Sequence, residues 1–367
     1  MANLRERLKR IQDIKKPDNR KDSQEAVPEN DAKELPGVIF RNWKPYGYNV
    51  LKREIEEKSP FNNRKLSSNI LVFVPDLFGN DVPDYEDFIF FDLETTGLSG
   101  GAGTVAFLAA FGRVRENKLR ITQYLLLDYS GENDFLVNVL SEFNNDKDII
   151  VSYNGKSFDS QILKTRCLIN RFNPPVYRHV DLLHPSRRLW KNIIQNCSQA
   201  SVETKILGID RSDDIPGSLA PDIWFDFLKT GNNERLLGIC NHNKADIQGL
   251  ASIFAAVISI AQNPLAAEYS FDLERIALFW RIFLKRKKVN LKYNDLHETA
   301  KELLHHAALK DFPRALYVYS YDLMRSGDYF KAVKYAKRGL ELLDDDSVLY
   351  QKLIRRIERL EKKLKKS

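Results

Sequence analysis

The chain has 367 residues, 43% of them hydrophobic, which is enough for two domains with apolar cores of their own. Its formal net charge of +7 and isoelectric point near 9.0 suit a nucleic-acid partner, although many basic proteins bind none. Cys167, Cys197 and Cys240 show no paired spacing, which argues against a disulfide scaffold and favours reduced thiols in a cytoplasmic protein.

The N-terminal part divides into two segments. Residues 1–35 are rich in Lys and Arg and have little apolar periodicity beyond a short candidate helix at Leu4–Ile14, so they are predicted to form a basic flexible arm. They lack the continuous apolar stretch of a signal peptide, and none is expected. Residues 36–85 are predicted to be an extension that packs on the core of the next domain.

Two carboxylates stand two residues apart in an otherwise apolar strand pattern at residues 88–94. Successive strand side chains point to opposite faces, so Asp92 and Glu94 share one face near the carboxyl end. Two unit charges about 4 Å apart repel by roughly 4 kcal/mol at an effective dielectric of about 20. A divalent metal ion is the usual partner for such a pair. The alternative is a pair of acids on a strand end that faces water.

A glycine-rich stretch, Gly97–Thr104, follows the two acids directly. A dinucleotide-binding loop needs a strand, then the glycines, then a helix. Here residues 104–114 continue as a strand, which favours a tight turn beside a metal site instead. With strand candidates at 88–94 and 119–127, they predict an antiparallel meander of three strands.

A further acid follows the next predicted strand. A helix candidate, Glu132–Phe143, leads to a buried strand at residues 148–153, which ends at an Asn-Gly turn. Ser157 is predicted to cap a helix that carries Asp159 in its first turn. Acids are common in first turns because the helix dipole favours them, so Asp159 alone does not establish a site.

A short strand at residues 180–182 ends the alternating part of the chain. Its Asp181 is either an accessory acid near the metals or an ordinary strand-end residue. Four basic residues beyond it are candidates for phosphate contacts or for a solvated helix face: Arg187, Arg188, Lys205 and Arg211. Two tryptophans either stack on a base or pack in the core: Trp190 and Trp224.

A late helix is predicted from His242 to Ile258, with His242 and Asp246 one turn apart on the same face. The apolar stretch Leu250–Ala261 is too short to span a bilayer and is predicted to be a buried helix segment. A lone His of this kind is also common as a surface or capping residue.

Residues 264–367 are predicted to be helical. One tetratricopeptide-like hairpin is indicated by Leu316, Leu323, Gly327, Tyr329, Ala332, Gly339 and Leu340, with a vague predecessor around Phe271–Leu304. Because an array needs about three such units, this region is expected to dock on the preceding domain or to form a small platform. Its basic final helix is a candidate surface for phosphates or for a protein partner.

An acid-x-acid strand, an acid after a second strand and a His-x-x-x-Asp helix together resemble the DEDD exonuclease family. The resemblance implies an α/β ribonuclease H-like fold, with a mixed five-stranded sheet flanked by helices and then an all-α region. It implies that two divalent ions, Mg²⁺ or Mn²⁺, are held by Asp92, Glu94, Asp159 and Asp246.

His242 departs from the family pattern. The His-type subgroup places its His five residues before the last Asp, and the Tyr-type subgroup places a Tyr four residues before it. Because His242 stands at the Tyr position, three roles remain open: a catalytic base that activates water, a residue that orients water, and a residue that lines the cleft.

The glycine stretch and Asp214-Ile215-Pro216-Gly217 also resemble the YprB-type ribonuclease H-like proteins, over roughly residues 36 to 340. These bacterial proteins are predicted to be DEDD-like nucleases, often with a tetratricopeptide-like C-terminus. The resemblance implies a nuclease domain at residues 86–263 and a helical domain at 264–367.

The function expected from these features is 3′–5′ exonuclease cleavage at single-stranded RNA or DNA ends. The alternatives are a non-catalytic nucleic-acid-binding or scaffold protein, which docks partners through its helical C-terminus, and a pure protein-interaction module. No membrane partner is expected. Candidate substrate-binding residues flank the acids: Thr95, Gly97, Leu98, Asn154, Lys156, Ser157, Phe158, Asp181, Arg187 and Arg188.

Overall fold

The computed structural model of the protein describes residues 41–61, 66–77, 83–97, 101–143, 148–287 and 294–365. The predicted basic arm, its candidate helix Leu4–Ile14 and the candidate substrate-binding residue Leu98 lie outside these residues.

A mixed sheet of seven strands runs through the described part of the chain. The strands are β1 (Lys44–Pro45), β2 (Val50–Lys58), β3 (Phe88–Thr95), β4 (Ala106–Arg115), β5 (Lys118–Leu126), β6 (Ile149–Ser152) and β7 (Arg178–Asp181). Their spatial order is β1-β2-β5-β4-β3-β6-β7, antiparallel up to β3 and parallel from β3 through β6 to β7. The carboxyl ends of β3, β6 and β7 therefore meet at one edge, and the predicted meander of β3, β4 and β5 is confirmed.

The predicted strand number, five, was wrong, because β1 and β2 come from the segment predicted only as a packed extension. In β2, charged residues outnumber apolar ones, which hides the strand pattern. Val50 and Leu51 are nevertheless buried, and β2 pairs with β5 from Val50–Leu126 to Lys58–Lys118. Cross-strand ion pairs to Glu56 from Lys118 (2.6 Å) and Arg120 (3.0 Å) accommodate the charges at the exposed end.

Eleven α-helices lie in the described residues. They are α1 (Glu132–Ser141), α2 (Asp159–Ile169), α3 (Leu183–Trp190), α4 (Gln199–Lys205), α5 (Ala220–Thr230), α6 (Glu234–Gln262), α7 (Leu273–Lys287), α8 (Asn294–Leu309), α9 (Pro313–Arg325), α10 (Tyr329–Glu341) and α11 (Val348–Leu364). The predicted mixed sheet flanked by helices and followed by a helical region is confirmed.

Two predictions about helix ends need correction. Ser157 does not cap α2, because the amide of Ser157 donates to the carbonyl of Asn154 (3.2 Å) and the turn continues, so that Phe158 occupies the N-cap position. The late helix is longer than predicted, since α6 starts at Glu234. By length and composition α6 could cross a membrane, but 61% of its most apolar window is buried inside the protein, as expected of a core helix.

The two faces of the sheet have separate cores. Phe88 and Phe90 of β3 belong to a cluster that includes the apolar side of α6, and Ile89, Phe91 and Leu93 belong to the cluster on the opposite face. Because side chains alternate along the strand, Asp92 and Glu94 continue the row of Phe88 and Phe90 towards the α6 side.

Trp190 and Trp224 pack in these cores and do not offer a face to a base. Both are fully buried, and their indole N–H groups donate to the carbonyls of Ser270 (3.0 Å) and Leu126 (3.0 Å). The core-packing alternative is therefore confirmed for both tryptophans.

Two of the C-terminal helices, α7 and α8, contribute to the core that contains Phe88. Trp280 of α7 and Leu303 of α8 belong to the same cluster as Phe88, and the rings of Phe73 and Trp280 meet edge to face at 5.9 Å. The predicted hairpin corresponds to α9 and α10, which pack against α11 through a small third cluster.

Candidate metal centre

The position of α6 depends on a close approach to the sheet. Gly112 of β4 faces Ile247 of α6, and a Cβ added at Gly112 would lie 2.5 Å from Cγ2 of Ile247. The missing side chain therefore lets α6 lie directly against β4. Asp246 precedes Ile247, so this contact also fixes the distance of Asp246 from the carboxylates of β3.

Asp159 reaches the same edge from a neighbouring strand. β6 runs parallel to β3, and the chain after it turns at Asn154, which has a left-handed φ of 62°. The helix α2 then begins with Asp159 as its first residue. Only 6% of the surface of Asp159 is exposed. The carboxyl ends of β3 and β6 thus deliver Asp92, Glu94 and Asp159 to one place.

The structure brings together the acids of β3, α2 and α6. Nε2 of His242 lies 3.2 Å from Oδ2 of Asp246 and 3.9 Å from Oε1 of Glu94. Glu94, His242 and Asp246 each offer one ligand atom, and these three atoms lie within 4.8 Å of one another. Asp92 and Asp159 complete the group, since each interacts electrostatically with Asp246.

Burial and mutual repulsion raise the pKa values of these carboxyl groups. The pKa of Asp92 is well above its usual value because of burial and of the charges on Asp246, Asp159 and Glu94. Burial also raises the pKa of Glu94 to about 8, although nearby His242 acts in the opposite direction. Burial and the charge of Asp181 raise the pKa of Asp159 to about 7. The metal-free site is therefore short of positive charge.

This donor set fits hard divalent ions. Mg²⁺ and Mn²⁺ prefer carboxylate oxygens, and a cation would relieve the repulsion that raises these pKa values. A metal centre here would use Asp92, Glu94, Asp159 and Asp246, with the imidazole of His242 beside them.

A chain of buried polar side chains supports Asp92 from behind. Nδ2 of Asn243 donates to Oδ2 of Asp92 (2.7 Å), and its Oδ1 accepts from Nε2 of Gln123 (2.7 Å). Oε1 of Gln123 accepts in turn from Nε of Arg53 (2.5 Å), whose guanidinium stacks on Trp43. None of these three supporting residues was predicted from the sequence. Gln123 interrupts an apolar strand pattern, whereas Arg53 and Asn243 lie in polar stretches where nothing marks them.

A second cluster surrounds Arg211, for which the sequence left open a phosphate contact or a solvated helix face. Only 12% of its side chain is exposed, and its guanidinium pairs with Glu203 (3.2 Å), Asp214 (2.8 Å) and Asp246. Nδ1 of His242 is bonded to Asp214 (2.8 Å). Arg211 thus faces carboxylates, and it contacts an oxygen of a candidate metal ligand.

Protein-family models match residues 89–258 to RNase_H_2, described as the RNase_H superfamily. Residues 89–258 form an RNase H superfamily domain. This RNase H domain includes the four acids and His242.

The chain is also similar to a bacterial protein. The chain is 43% identical over 168 residues to the uncharacterized protein YprB of Bacillus subtilis (strain 168), which confirms the resemblance predicted from the motifs. The match covers 45% of the chain and 40% of YprB, so the chain spans less than half the length of this relative.

Several solved structures resemble the chain weakly. The ExoI/SSB-Ct complex has a TM-score of 0.32 at 17% identity, with 48% of this chain and 41% of that chain covered. E. coli Exonuclease I in complex with a dT13 oligonucleotide gives 0.29 at 20% identity (44% and 45% covered). The family B DNA polymerase of Pyrobaculum calidifontis gives 0.34 at 12% identity (54% and 29% covered). These TM-scores are below 0.5 and support no inference about function.

The candidate substrate residues near β3 belong to a tight turn of the RNase H domain. The hydroxyl of Thr95 donates to the carbonyl of Gly97 (2.8 Å), beside an irregularity in the pairing of β3 with β4. Thr95 is buried, whereas Gly97 is half-buried. This turn lies directly after Glu94.

Asp181 organises the loop after β6. Its carboxylate accepts hydrogen bonds from the backbone amides of Asn154 (2.8 Å), Leu183 (3.1 Å) and Lys156 (3.3 Å). Asp181 therefore holds the turn that leads to Asp159, and its charge contributes to the raised pKa of Asp159. In the same loop, Ser157 is exposed and Phe158 is half-buried.

Two of the three basic candidates of this region lie beside a small cavity. Lys156 and Arg188 line a cavity of 280 Å³ together with Asp181 and His184. Lys156 pairs with Asp76, and the guanidinium of Arg188 stacks 3.9 Å from the ring centre of Phe279. Arg187 is exposed and is absent from the lining.

Proposed function

We propose that this protein is a metal-dependent nuclease that hydrolyses phosphodiester bonds, acting as a 3′–5′ exonuclease on single-stranded ends. The observation that carries the proposal is the convergence of four carboxylates at one edge of the sheet of an RNase H domain. Asp92, Glu94, Asp159 and Asp246 come from three separate elements, yet their charges act on one another. A group of repelling acids with raised pKa values is typical of a functional site.

The four carboxylates would hold two divalent ions. Such a pair, about 3.5–4 Å apart, stabilises both the attacking and the leaving oxygen of a phosphodiester displacement. The protein's own part is to place the ligands. The chain Arg53–Gln123–Asn243 fixes the orientation of Asp92 for this task.

His242 is the candidate group for accepting a proton from the attacking water. In the metal-free protein, burial lowers its pKa, but the hydrogen bond and charge of Asp246 and the charges of Glu94 and Asp214 outweigh burial and raise it to about 9. Offsetting the carboxylate charges would favour the neutral ring, and its Nε2 faces Asp246 and Glu94.

One observation favours a second candidate function. Arg211 already contacts an oxygen of Asp246, and a guanidinium in that place competes with a metal ion. A protein that kept this pair closed would bind nucleic acid, or hold partners on its C-terminal helices, without cutting. Its binding would be sensitive to salt, and it would form no metal-dependent product.

The test uses the full chain and 5′-labelled single-stranded RNA and DNA, each with Mg²⁺, Mn²⁺ or EDTA. The expected result is a metal-dependent ladder of products shortened from the 3′ end, which is absent in EDTA and in Asp92→Asn. Asp213→Asn is the matched control, because Asp213 is an exposed Asp of the same region. Full activity of folded Asp92→Asn would contradict the proposed site. Salt-sensitive binding without cleavage would favour the second function.

A further inference from the structure

The loop at residues 211–217 packs against the ring of His242 and lies close to both of its nitrogens. Oδ2 of Asp214 lies 2.8 Å from Nδ1 of His242, while Nε2 of the same ring faces Asp246 at 3.2 Å and Glu94 at 3.9 Å. The two ring nitrogens therefore have separate partners. Asp214 takes the outer one, and the inner one points into the acid cluster.

Asp214 has the chemistry to hold this ring by its outer nitrogen. A carboxylate accepts hydrogen bonds and donates none when ionised, so the N–H group of Nδ1 donates to Asp214. Nε2 of the ring then faces Asp246 and Glu94. A carboxylate paired with an imidazole is a recurrent way to orient a ring and to raise its basicity.

The same loop also limits the position of the ring. A Cβ added at Gly217 would lie 2.8 Å from Nε2 of His242, so only glycine leaves room for the imidazole there. Asp214 and Gly217 are three residues apart, and each constrains a different nitrogen of the ring.

Buried charges hold Asp214 itself in place. Nε of Arg211 pairs with Oδ2 of Asp214 (2.8 Å), and Nη1 pairs with Oε2 of Glu203 (3.2 Å). Glu203 is fully buried, so Arg211 cannot turn to solvent without leaving that carboxylate unpaired. The contacts of Arg211 with Glu203 and Asp246 thus help to fix the position of Asp214.

We propose that Asp214 is a positioning residue for the hydrolysis: it holds the ring of His242 so that Nε2 is directed at the acid cluster. This inference rests on the proposed nuclease function, which it deepens by assigning the Asp-Ile-Pro-Gly segment a role. Asp214 contacts the ring, and Gly217 provides the space that the ring occupies.

Two measurements on the full chain test this role, with Mg²⁺ as the metal and labelled oligonucleotide as the substrate. The first compares the cleavage kinetics of Asp214→Asn and Asp213→Asn. Asp214→Asn should lower kcat by roughly 10- to 100-fold with little change in KM, because a supporting carboxylate acts on the ring and not on substrate affinity. Asp213→Asn should match the wild type. Gly217→Ala, which keeps Asp214, should also lower kcat by displacing the ring.

The second measurement reports on the ring without any cleavage. ¹H–¹⁵N spectra of the six histidines report on the Nδ1–H group that donates to Asp214, and His242→Gln identifies the signals of His242. The wild type and Asp213→Asn should show a slowly exchanging, downfield-shifted Nδ1–H signal, whereas Asp214→Asn should shift that signal upfield or lose it to exchange with water. A merely structural role of Asp214 would leave this signature unchanged in a folded variant.

The outcomes separate the two proposals. An active wild type in which folded Asp214→Asn keeps full kcat, or keeps the wild-type ring signature, overturns the positioning role and leaves the nuclease function intact. A wild type that cleaves neither nucleic acid overturns the nuclease function. In that case a change of the Nδ1–H signal confined to Asp214→Asn still supports the hold of Asp214 on the ring, and its absence overturns that as well.

Discussion

Glu94 shows the cost of the site at the scale of a single residue. Only 8% of its surface is exposed, and burial raises its pKa to about 8 from a usual value of 4.5. The folded protein therefore binds a proton at Glu94 between those two pH values where the unfolded chain has released it. Stability in the metal-free protein falls as the pH rises through this window, since the folded state binds more protons.

Replacing Glu94 by Gln should remove this pH dependence. In EDTA at pH 8.5, we expect Glu94→Gln to be more stable than the wild type by an amount on the order of 2 kcal/mol, and the difference should shrink towards pH 5. Urea unfolding at both pH values measures it. A constant difference, or a less stable variant at pH 8.5, would show that the carboxyl of Glu94 is not held against its charge.

Metal binding should reverse the destabilisation by the acids. Adding Mn²⁺ should raise the thermal midpoint of the wild type, because a ligand at about 100 times its Kd contributes roughly 2.7 kcal/mol to the folded state. The thermal midpoint of Asp159→Asn, which loses one ligand, should rise less. The thermal midpoint of Asp213→Asn should rise as much as that of the wild type. Equal shifts for all three proteins would place the bound metal elsewhere.

Asn243 joins the site to the sheet, and its loss should be costly. Asn243→Ala leaves Asp92 and Gln123 without their shared partner in a fully buried position. The expected loss of unfolding free energy is about 1–3 kcal/mol, and cleavage should fall because Asp92 is no longer oriented. Exposed Asn232→Ala is the control. A change within about 0.5 kcal/mol for Asn243→Ala would contradict this supporting role.

At the scale of elements, the site depends on how closely α6 approaches β4. Gly112→Ala places a methyl group 2.5 Å from Ile247, so it should destabilise the protein by about 1–3 kcal/mol and lower cleavage by shifting Asp246. Ile247→Ala in the same chain should recover part of this loss. A double-mutant cycle of the two changes measures the coupling, and purely additive effects would contradict the contact.

A strand could be predicted from the sequence where its own residues form an apolar or alternating pattern. β3, β4 and β5 were predictable as strands because their apolar or alternating residues form uninterrupted runs. β2 was not, because its exposed positions carry charges and its burial depends on a partner strand some 70 residues away, as in the bond from Arg53 to Gln123.

The candidate site divides in the same way. Each of the acids lies near the end of a strand or in a helix, and these positions were predictable from spacing along the chain. The structure brings the acids together. Asn243 and Asp92 are 151 residues apart, and no local pattern links them. Neither alternative for Arg211, a phosphate contact or a solvated helix face, included its ion pairs, because the carboxylates that surround it are assembled only by the fold.

At the scale of the whole molecule, the RNase H domain and the helices after residue 263 share one core. Trp280 is fully buried in the cluster that also contains Phe73, Phe88 and Phe254. Removing the side chain of Trp280 should therefore destabilise both regions.

Trp280→Ala should destabilise the protein by about 3–5 kcal/mol. Unfolding should remain a single transition, with far-ultraviolet circular dichroism and near-ultraviolet signals coinciding. Phe330→Ala, at an exposed residue of α10, is the control and should have little effect. A Trp280→Ala protein in which the helical region melts separately, while the RNase H domain keeps its wild-type midpoint, would contradict a shared core.

The most direct test of the metal centre is the number of Mn²⁺ ions that each chain binds, measured by equilibrium dialysis on samples that are also assayed for cleavage. We predict two ions per wild-type chain, metal-dependent cleavage in the same sample, and the loss of both in folded Asp92→Asn. A wild type that binds no ion, or an Asp92→Asn protein that binds two and cleaves normally, would contradict a metal centre built on these four carboxylates.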